Sequence, residues 1–434
     1  MGLLYFKETL KYFLRSRLFI SKYVKEVERL YGMSPEELRA RNEKRFLEIF
    51  RLAYTKSPFY SKLYKEHGIA LSDIKTLADI KKLPVVSKEM IREHPEQLLT
   101  CPKWLTWKNH TSGTTGTPLV IYESWNSIWR NQADMCCYRK YCDFSVGKDK
   151  IASMRGHLNR SETTLIVDVS KTLYLSSFNL SKNTIEEYYN QLKRFKPKAI
   201  EGYPSTLFSL CLLLKTNQLS IKIPIIFTSS ETLGYGQRIF IETILGGTVF
   251  DHYGNTERTI SLSERKDHSG YFERPGCSIN EYFGNEIITT SLINKSFPLI
   301  RYKVDDLLTL NDEVKKEPLD PIVKSVNGRA SISITGKDGT KYNAAALTYL
   351  AKSIPNIFTV QLVQEGSCGL LNINIIPKDI FSEKDQELTK KAIDEKIGLD
   401  NIDYQINVIT PQELIYSKNG KLSLIVILSK GEIV

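Results

Sequence analysis

Between Thr184 and Tyr253 the chain alternates helical and extended segments at short intervals, an order that few folds accept. Thr184–Phe195, Pro204–Lys215 and Leu233–Leu245 carry helical periodicity, whereas Lys198–Glu201, Pro224–Ser229 and Thr248–Tyr253 are short apolar runs of strand type. Strands alternating with helices imply right-handed crossovers and a mainly parallel sheet flanked by helices, so the fold class is α/β. In such sheets ligands gather at the carboxyl ends of strands. Two unusual polar stretches fall at those ends: Thr228-Ser229-Ser230-Glu231-Thr232 and Asp251-His252-Tyr253-Gly254-Asn255-Thr256-Glu257.

The flanking regions read differently. Helices dominate to about residue 95, and Ser34-Pro35-Glu36-Glu37 is a complete helix start, with a cap, a proline at the first position and a glutamate three after the cap. After about Lys315 the composition shifts through Glu317-Pro318-Leu319-Asp320-Pro321 and the turn Asn327-Gly328. Beyond it the pattern predicts a small α+β domain. Its parts are a hairpin turn at Gly336–Gly339, a helix near Ala344–Ser353, two strands around Glu365-Gly366, a helix near Glu383–Lys396 and further strands. The expected division is therefore a large domain over 1–327, with a helical opening region over 1–95, and a small mobile domain over 328–434.

A second loop stands out for its chemistry. From Thr111 to Thr117 every residue is glycine or carries a hydroxyl, and Pro118 closes the run. Gly113 and Gly116 let the backbone fold its N–H groups inward, and Thr111, Ser112, Thr114 and Thr115 add hydroxyl donors. Such a concavity suits a polyanion, most simply nucleotide phosphates. No Gly-Lys-Ser/Thr ends the loop, so it is not a Walker A motif.

A chain of 434 residues is too long for one ordinary core. With 41% hydrophobic and 25% charged residues it has the makeup of a folded soluble protein, and no apolar run approaches the ~20 residues of a membrane span. Seven scattered cysteines and no signal-type start predict reduced thiols and a cytoplasmic location. Cys136, Cys137 and Cys142 have no histidine nearby and read as structural. The net charge of +11 is spread along the chain without an aromatic-interleaved basic tract, so nucleic acid is not an expected partner. The first segment is the exception. Leu3, Phe6, Leu10, Phe13, Leu14 and Leu18 recur at helical spacing among Lys7, Lys11, Arg15, Arg17, Lys22 and Lys25. A helix of this kind suits either peripheral contact with an anionic inner membrane face or packing of its stripe on the protein body, and the latter is the expectation.

Read in order, further islands complete a pattern: Ser57-Pro58-Phe59-Tyr60, Lys82-Leu83-Pro84-Val85-Val86-Ser87-Lys88, Glu201-Gly202-Tyr203-Pro204-Ser205, Arg301-Tyr302-Lys303-Val304-Asp305-Asp306, Gly328-Arg329 and Lys418-Asn419-Gly420-Lys421. With the Thr111–Pro118 loop, Ser229-Ser230-Glu231 and Tyr253–Glu257, this set resembles the adenylate-forming acyl-ligase superfamily, in its phenylacetate–CoA ligase and CapK-like branch, over nearly the whole chain.

The resemblance implies an ATP- and Mg²⁺-dependent ligase that adenylates a carboxylic acid, with CoA or an amine or hydroxyl as acyl acceptor. In that reading Thr111–Gly116 hold the β- and γ-phosphates, and Ser230, Glu231, Tyr253 and Gly254 contact adenine. Thr256 binds the α-phosphate, Glu257 holds Mg²⁺, Asp306 accepts the ribose hydroxyls with Arg329 nearby, and Lys421 is the mobile catalytic lysine. His252 and Tyr203 are candidates for the acyl pocket. Taken singly, the residues have plainer uses: Glu257 beside Arg258 fits a surface ion pair, Tyr253 a strand-end core residue, Asp305 or Asp306 a turn cap, and Lys421 a solvated turn lysine.

The chain departs from the pattern at several places. Leu119 stands where many relatives have lysine, and Val304-Asp305 where Thr-Gly is common. After Arg329 the residues Ala330, Ser331, Ile332 and Ser333 lack the usual acidic or lysine hinge residue. Ser263, His268 and Cys277 do not reproduce the Cys/His set of some relatives, so no structural zinc is expected. Three functions follow: acyl transfer to CoA or another acceptor in capsule or surface-polysaccharide biosynthesis, transfer to a sugar amine or hydroxyl without CoA, and a non-catalytic nucleotide-binding scaffold.

Overall fold

Ser34 starts the longest helix as its sequence predicts. Its hydroxyl accepts from the Glu37 N–H at 3.2 Å while Glu37 accepts from the Ser34 N–H at 2.9 Å, closing a reciprocal cap. The computed structural model describes residues 2–110, 118–156, 158, 162–311, 317–329, 332–343, 347, 354–366, 369–417 and 421–428. The loop residues Thr111–Thr117, Ala330-Ser331, Lys418–Gly420 and the helix expected over 344–353, save Leu347, lie outside them. By internal contacts the chain divides into two units, Met1–Lys148 with His252–Ser325, and Asp149–Asp251 with Val326–Val434.

The first unit opens with helices α1 (Gly2–Tyr12), α2 (Ile20–Tyr31), α3 (Pro35–Lys56), α4 (Pro58–Glu66) and α5 (Lys88–Glu93), with a π-helical turn at Phe13–Arg17 between the first two. Phe46, Ile49, Phe50, Tyr60 and Tyr64 are fully buried along α3 and α4. A hairpin pairs Thr106–His110 with Val120–Ser124 and leads into α6 (Trp125–Tyr141). Ser278–Phe283, Glu286–Ser291 and Tyr302–Val304 form a three-stranded antiparallel sheet.

Arg301 joins this sheet to the helical region. Its guanidinium takes both oxygens of Glu281, at 3.0 and 3.1 Å, and also donates to the carbonyls of Lys81 and Leu83. Val86 N–H donates to the Arg301 carbonyl at 2.9 Å alongside. The apolar stripe of the first segment does not pack inward as expected. Phe6, Leu10, Phe13, Leu18 and Phe19 are exposed and Leu14 is half-buried, while the buried Glu8 and the half-buried Tyr12 take the inward side of α1; a Cβ on Gly147 would meet the Tyr12 hydroxyl.

In the second unit the predicted alternation is present. A sheet runs in the order Thr164–Val167, Thr172–Leu175, Ile151–Met154, Ala199–Gly202, Ile225–Ser229, parallel throughout except for the first strand. Helices α7 (Ile185–Phe195), α8 (Pro204–Thr216) and α9 (Tyr235–Leu245) connect and cover it. Gly202 must be glycine because a Cβ there would lie 2.9 Å from Leu207 Cγ on α8.

The segment from Val326 forms a hairpin over Ser333–Thr335 and Lys341–Asn343. A four-stranded sheet follows, ordered Tyr404–Val408, Leu371–Pro377, Ile357–Glu365, Ile425–Leu428, with α10 (Glu383–Asp394). Ile334, Leu362, Ile373, Ile375, Ile393 and Ile425 make its core. Phe358 packs against Phe208 and Phe240 at ring separations of 5.0 and 4.6 Å, fastening this segment to α8 and α9. Among the described residues no helix is long and apolar enough to cross a membrane.

Candidate functional site

Thr111–Gly116 lie outside the described residues; most of the other predicted residues gather in two clusters, one in each unit. In the first, the strand Thr248–Gly254 ends in Tyr253 and Gly254, and the chain turns through Thr256 and Glu257. Asn255 fixes that turn by donating from its amide to Thr259 Oγ1 at 2.7 Å and accepting from the Thr259 N–H at 3.0 Å. Thr256 is exposed and Glu257 buried.

Two phenols tie the turn to the Arg301–Asp306 segment. Tyr302 donates to Glu257 Oε1 at 3.1 Å, and Tyr253 donates to Asp306 Oδ2 at 2.6 Å. Burial pushes the Glu257 carboxyl above its ordinary range, and the charge of Asp306 adds to this; Lys88 at the start of α5 pulls the other way. Glu257, Asp306 and Tyr253 are therefore neighbours, although Asp306 lies 53 positions beyond Tyr253. His252 packs edge-on to the buried Tyr138, ring centroids 6.2 Å apart.

A buried carboxylate whose charge the surroundings resist suits a divalent cation. Mg²⁺ is commonly held by one or two carboxylates together with substrate phosphates. Glu257 fits that donor set. Among the described residues no group of three or more His, Cys, Asp or Glu side chains is arranged to hold a metal by itself.

The second cluster sits at the carboxyl ends of the parallel strands. Ser230 holds a positive φ of 71° directly after Ile225–Ser229, turning Glu231 back toward α8. The Glu231 carboxylate accepts from the Ser205 N–H and hydroxyl, each at 3.0 Å, and from the Leu422 N–H at 2.6 Å. Burial raises its pKa to about 7, against those three donors and the positive charge of Lys421. Lys421 lies with its Nζ 5.7 Å from the centre of the Tyr203 ring, and its N–H donates to Ser417 Oγ at 3.1 Å. Arg329 ends the strand Val323–Arg329, one residue after Gly328 at φ 87°.

Three residues of these clusters carry no expectation from sequence. Arg155, just past the strand Ile151–Met154, donates to Ser229 Oγ at 2.9 Å and pairs with Glu201 at 3.8 Å. The carboxyl-end rule applied to that strand finds it. Glu123 accepts from Arg258 Nε at 3.0 Å and from the Asn109 amide, so Arg258 pairs with Glu123, and the plainer alternative for Glu257, a surface ion pair with Arg258, is not what forms. Tyr302 stands inside a quoted motif, but nothing local reveals that its hydroxyl reaches Glu257.

The chain is similar to proteins of known kind. It is 24% identical to Protein CapK of Staphylococcus aureus over 391 residues, covering 85% of this chain and 84% of that one. It is also 24% identical to a phenylacetate–coenzyme A ligase of Escherichia coli strain K12, covering 64% and 68%. A crystal structure of 2-hydroxyisobutyryl-CoA ligase in the postadenylation state, in complex with R3-HIB-AMP, shares the fold with a TM-score of 0.67 at 16% identity, over 92% and 91% of the two chains. No protein-family model matches the chain. The relatives, the shared fold and the ordered motifs agree: in sequence and in fold the chain is similar to adenylate-forming ligases.

Proposed function

We propose that the protein is an ATP-dependent, AMP-forming carboxylate ligase that activates a carboxylic acid and passes the acyl group to CoA. The observation that carries this reading is the clustering of Tyr253, Glu257 and Asp306 through the Tyr253–Asp306 hydrogen bond and the buried, charge-resisted carboxylate of Glu257. A carboxylate oxygen attacks the α-phosphorus, the bond from that phosphorus to the β-phosphate oxygen breaks, and pyrophosphate leaves. An acceptor thiol, amine or hydroxyl then attacks the acyl carbonyl, loses its proton, and AMP leaves.

Both steps bring anions together, so catalysis rests on positioning and charge neutralisation. Thr111–Gly116 cradle the β- and γ-phosphates, Tyr253 and the backbone around Ser230 and Gly254 face adenine, and Asp306 with Arg329 holds the ribose. Thr256 donates to the α-phosphate. When bound, Mg²⁺ neutralises phosphate oxygens, and Glu257 is the residue that holds it. Lys421 supplies positive charge to the attacking carboxylate and the α-phosphate. Glu231 holds the lysine loop through the Leu422 N–H, while Tyr203 and His252 border the acyl group. The segment from Gly328, with its own core, acts as the lid carrying Lys421.

The altered hinge sequence after Arg329 favours a second reading, direct transfer to an amine or hydroxyl of a sugar in capsule or surface-polysaccharide assembly. Product analysis with and without CoA separates the two. Incubation with ATP, Mg²⁺ and a panel of carboxylic acids tests the shared chemistry. Pyrophosphate release with at least one acid, lost in Lys421→Ala at unchanged ATP affinity, supports a ligase. ATP binding with no release from any acid supports a scaffold and removes the ligase reading.

A further inference from the structure

All four tryptophans of this chain, Trp104, Trp107, Trp125 and Trp129, lie in one stretch of the first unit beside its first helices. Trp107 contacts Trp125 at a ring separation of 5.3 Å, Trp125 stacks on Trp129 at 5.5 Å, and Trp129 meets Phe19 at 4.8 Å. The ladder is fastened to the turn after α1, because the Trp129 indole N–H donates to the Leu14 carbonyl at 2.7 Å. Its rungs are not core. Trp107 is 50% exposed, Phe19 53%, and Trp104, three residues before Trp107, 80%.

The same region holds the outward-turned stripe. Phe6, Leu10 and Phe13 recur at i, i+4 and i+7 on exposed positions, and Leu18 follows, exposed like Phe19. Around them stand Lys7, Lys11, Arg15, Arg17, Lys22 and Lys25, with Glu8 as the single acid among the first 25 residues, and Glu8 is buried and paired to Lys11 at 3.3 Å. Exposed large apolar side chains in this number signal an interaction surface. Tryptophan favours the boundary between hydrocarbon and water, where its ring is apolar and its N–H wet. Six cations around an apolar stripe complement a surface of negative charge, which a generic apolar protein partner does not supply.

We propose that α1, the turn after it and the Trp107–Trp129 ladder form a docking face for an anionic phospholipid surface, with the apolar side chains inserted at headgroup depth and the lysines and arginines on lipid phosphates. The reading is independent of the ligase chemistry. Its readout is binding, so a failed activity assay and a failed docking assay are distinguishable.

The test uses the full chain with large unilamellar vesicles, either phosphatidylglycerol and phosphatidylcholine in equal parts or phosphatidylcholine alone. Co-sedimentation with the anionic vesicles only, weakened by salt and accompanied by a blue shift of tryptophan emission, is the expected result. Lys7→Gln with Arg17→Gln should weaken partitioning about thirtyfold, from two cations removed. Phe6→Ser with Leu10→Ser should abolish the blue shift while co-sedimentation weakens. Both pairs are on exposed positions, and unchanged circular dichroism checks their folding. Absence of binding, equal binding to both vesicle types, or a self-associated state that buries the tryptophans without vesicle binding each overturns the proposal.

Discussion

Glu231 Oε1 accepts the backbone N–H of Leu422 at 2.6 Å, across 191 positions of sequence, while both its oxygens are also taken by Ser205. The residue after the candidate catalytic lysine is thus pinned by main chain to a carboxylate that α8 already holds. Glu231→Ala leaves the Leu422 and Ser205 donors without their acceptor and frees the Lys421 loop. Pyrophosphate exchange should fall about tenfold to a hundredfold in kcat with little change in the KM for ATP. Equal kinetics in the variant would show that the loop is held by other means.

The same carboxyl gives a pH signature. Its ordinary value is 4.5 and the folded value about 7, so between these the unfolded chain binds fewer protons than the native one. Stability therefore decreases from this group as pH rises from 4.5 to 7, by at most about 1.4 kcal/mol per pH unit, and levels off above. Urea unfolding across that window should show the slope in the native sequence and lose it in Glu231→Gln.

Tyr253 and Asp306 allow a cleaner dissection of nucleotide binding. Asp306→Ala removes the proposed ribose acceptor and should raise the KM for ATP about tenfold or more, as expected for a hydrogen bond to a charged group. Tyr253→Phe keeps the flat ring and deletes only its bond to Asp306, so its effect should be a few-fold. Similar losses in both would place the contribution in the hydroxyl rather than in the carboxylate.

Arg301 should dominate stability in its region. Its guanidinium fork serves Glu281 bidentately and two carbonyls of the helical opening region. Arg301→Ala abandons the Glu281 carboxylate in a closed environment and should cost about 3–5 kcal/mol. Arg301→Lys should recover only part, since an ammonium cannot reproduce the fork. Denaturant unfolding of the two variants measures this.

Glu257 is the residue through which metal dependence is testable. Glu257→Gln retains the shape and an acceptor for Tyr302 but removes the charge proposed to attract Mg²⁺. The Mg²⁺ concentration for half-maximal activity should rise about tenfold. An unchanged requirement would assign the ion to other ligands.

The sheet of the second unit was legible because its signals are local. Periodicity places helices at Thr184–Phe195 and Pro204–Lys215, and they are found at Ile185–Phe195 and Pro204–Thr216. The cap at Ser34 is equally local. What the letters leave open is direction. A carboxylate such as Glu231 reads the same whether it faces a ligand or a backbone N–H contributed 191 positions later. The stripe at Phe6, Leu10 and Phe13 has one period whether it is turned inward or outward, and the inward expectation failed because Glu8 and Tyr12 take the packed side. Arg258 could equally serve Glu257 or Glu123, and the hairpin that brings Glu123 near decides it.

Phe358, wedged against Phe208 and Phe240, gives the segment carrying the lysine a greasy heel. Lifting that heel wets three aromatic faces at once, a penalty on the order of a few kcal/mol. In the proposed ligase cycle, any departure of the lysine after adenylation would therefore meet a threshold, and an incoming acceptor with an apolar portion able to shield those rings would lower it.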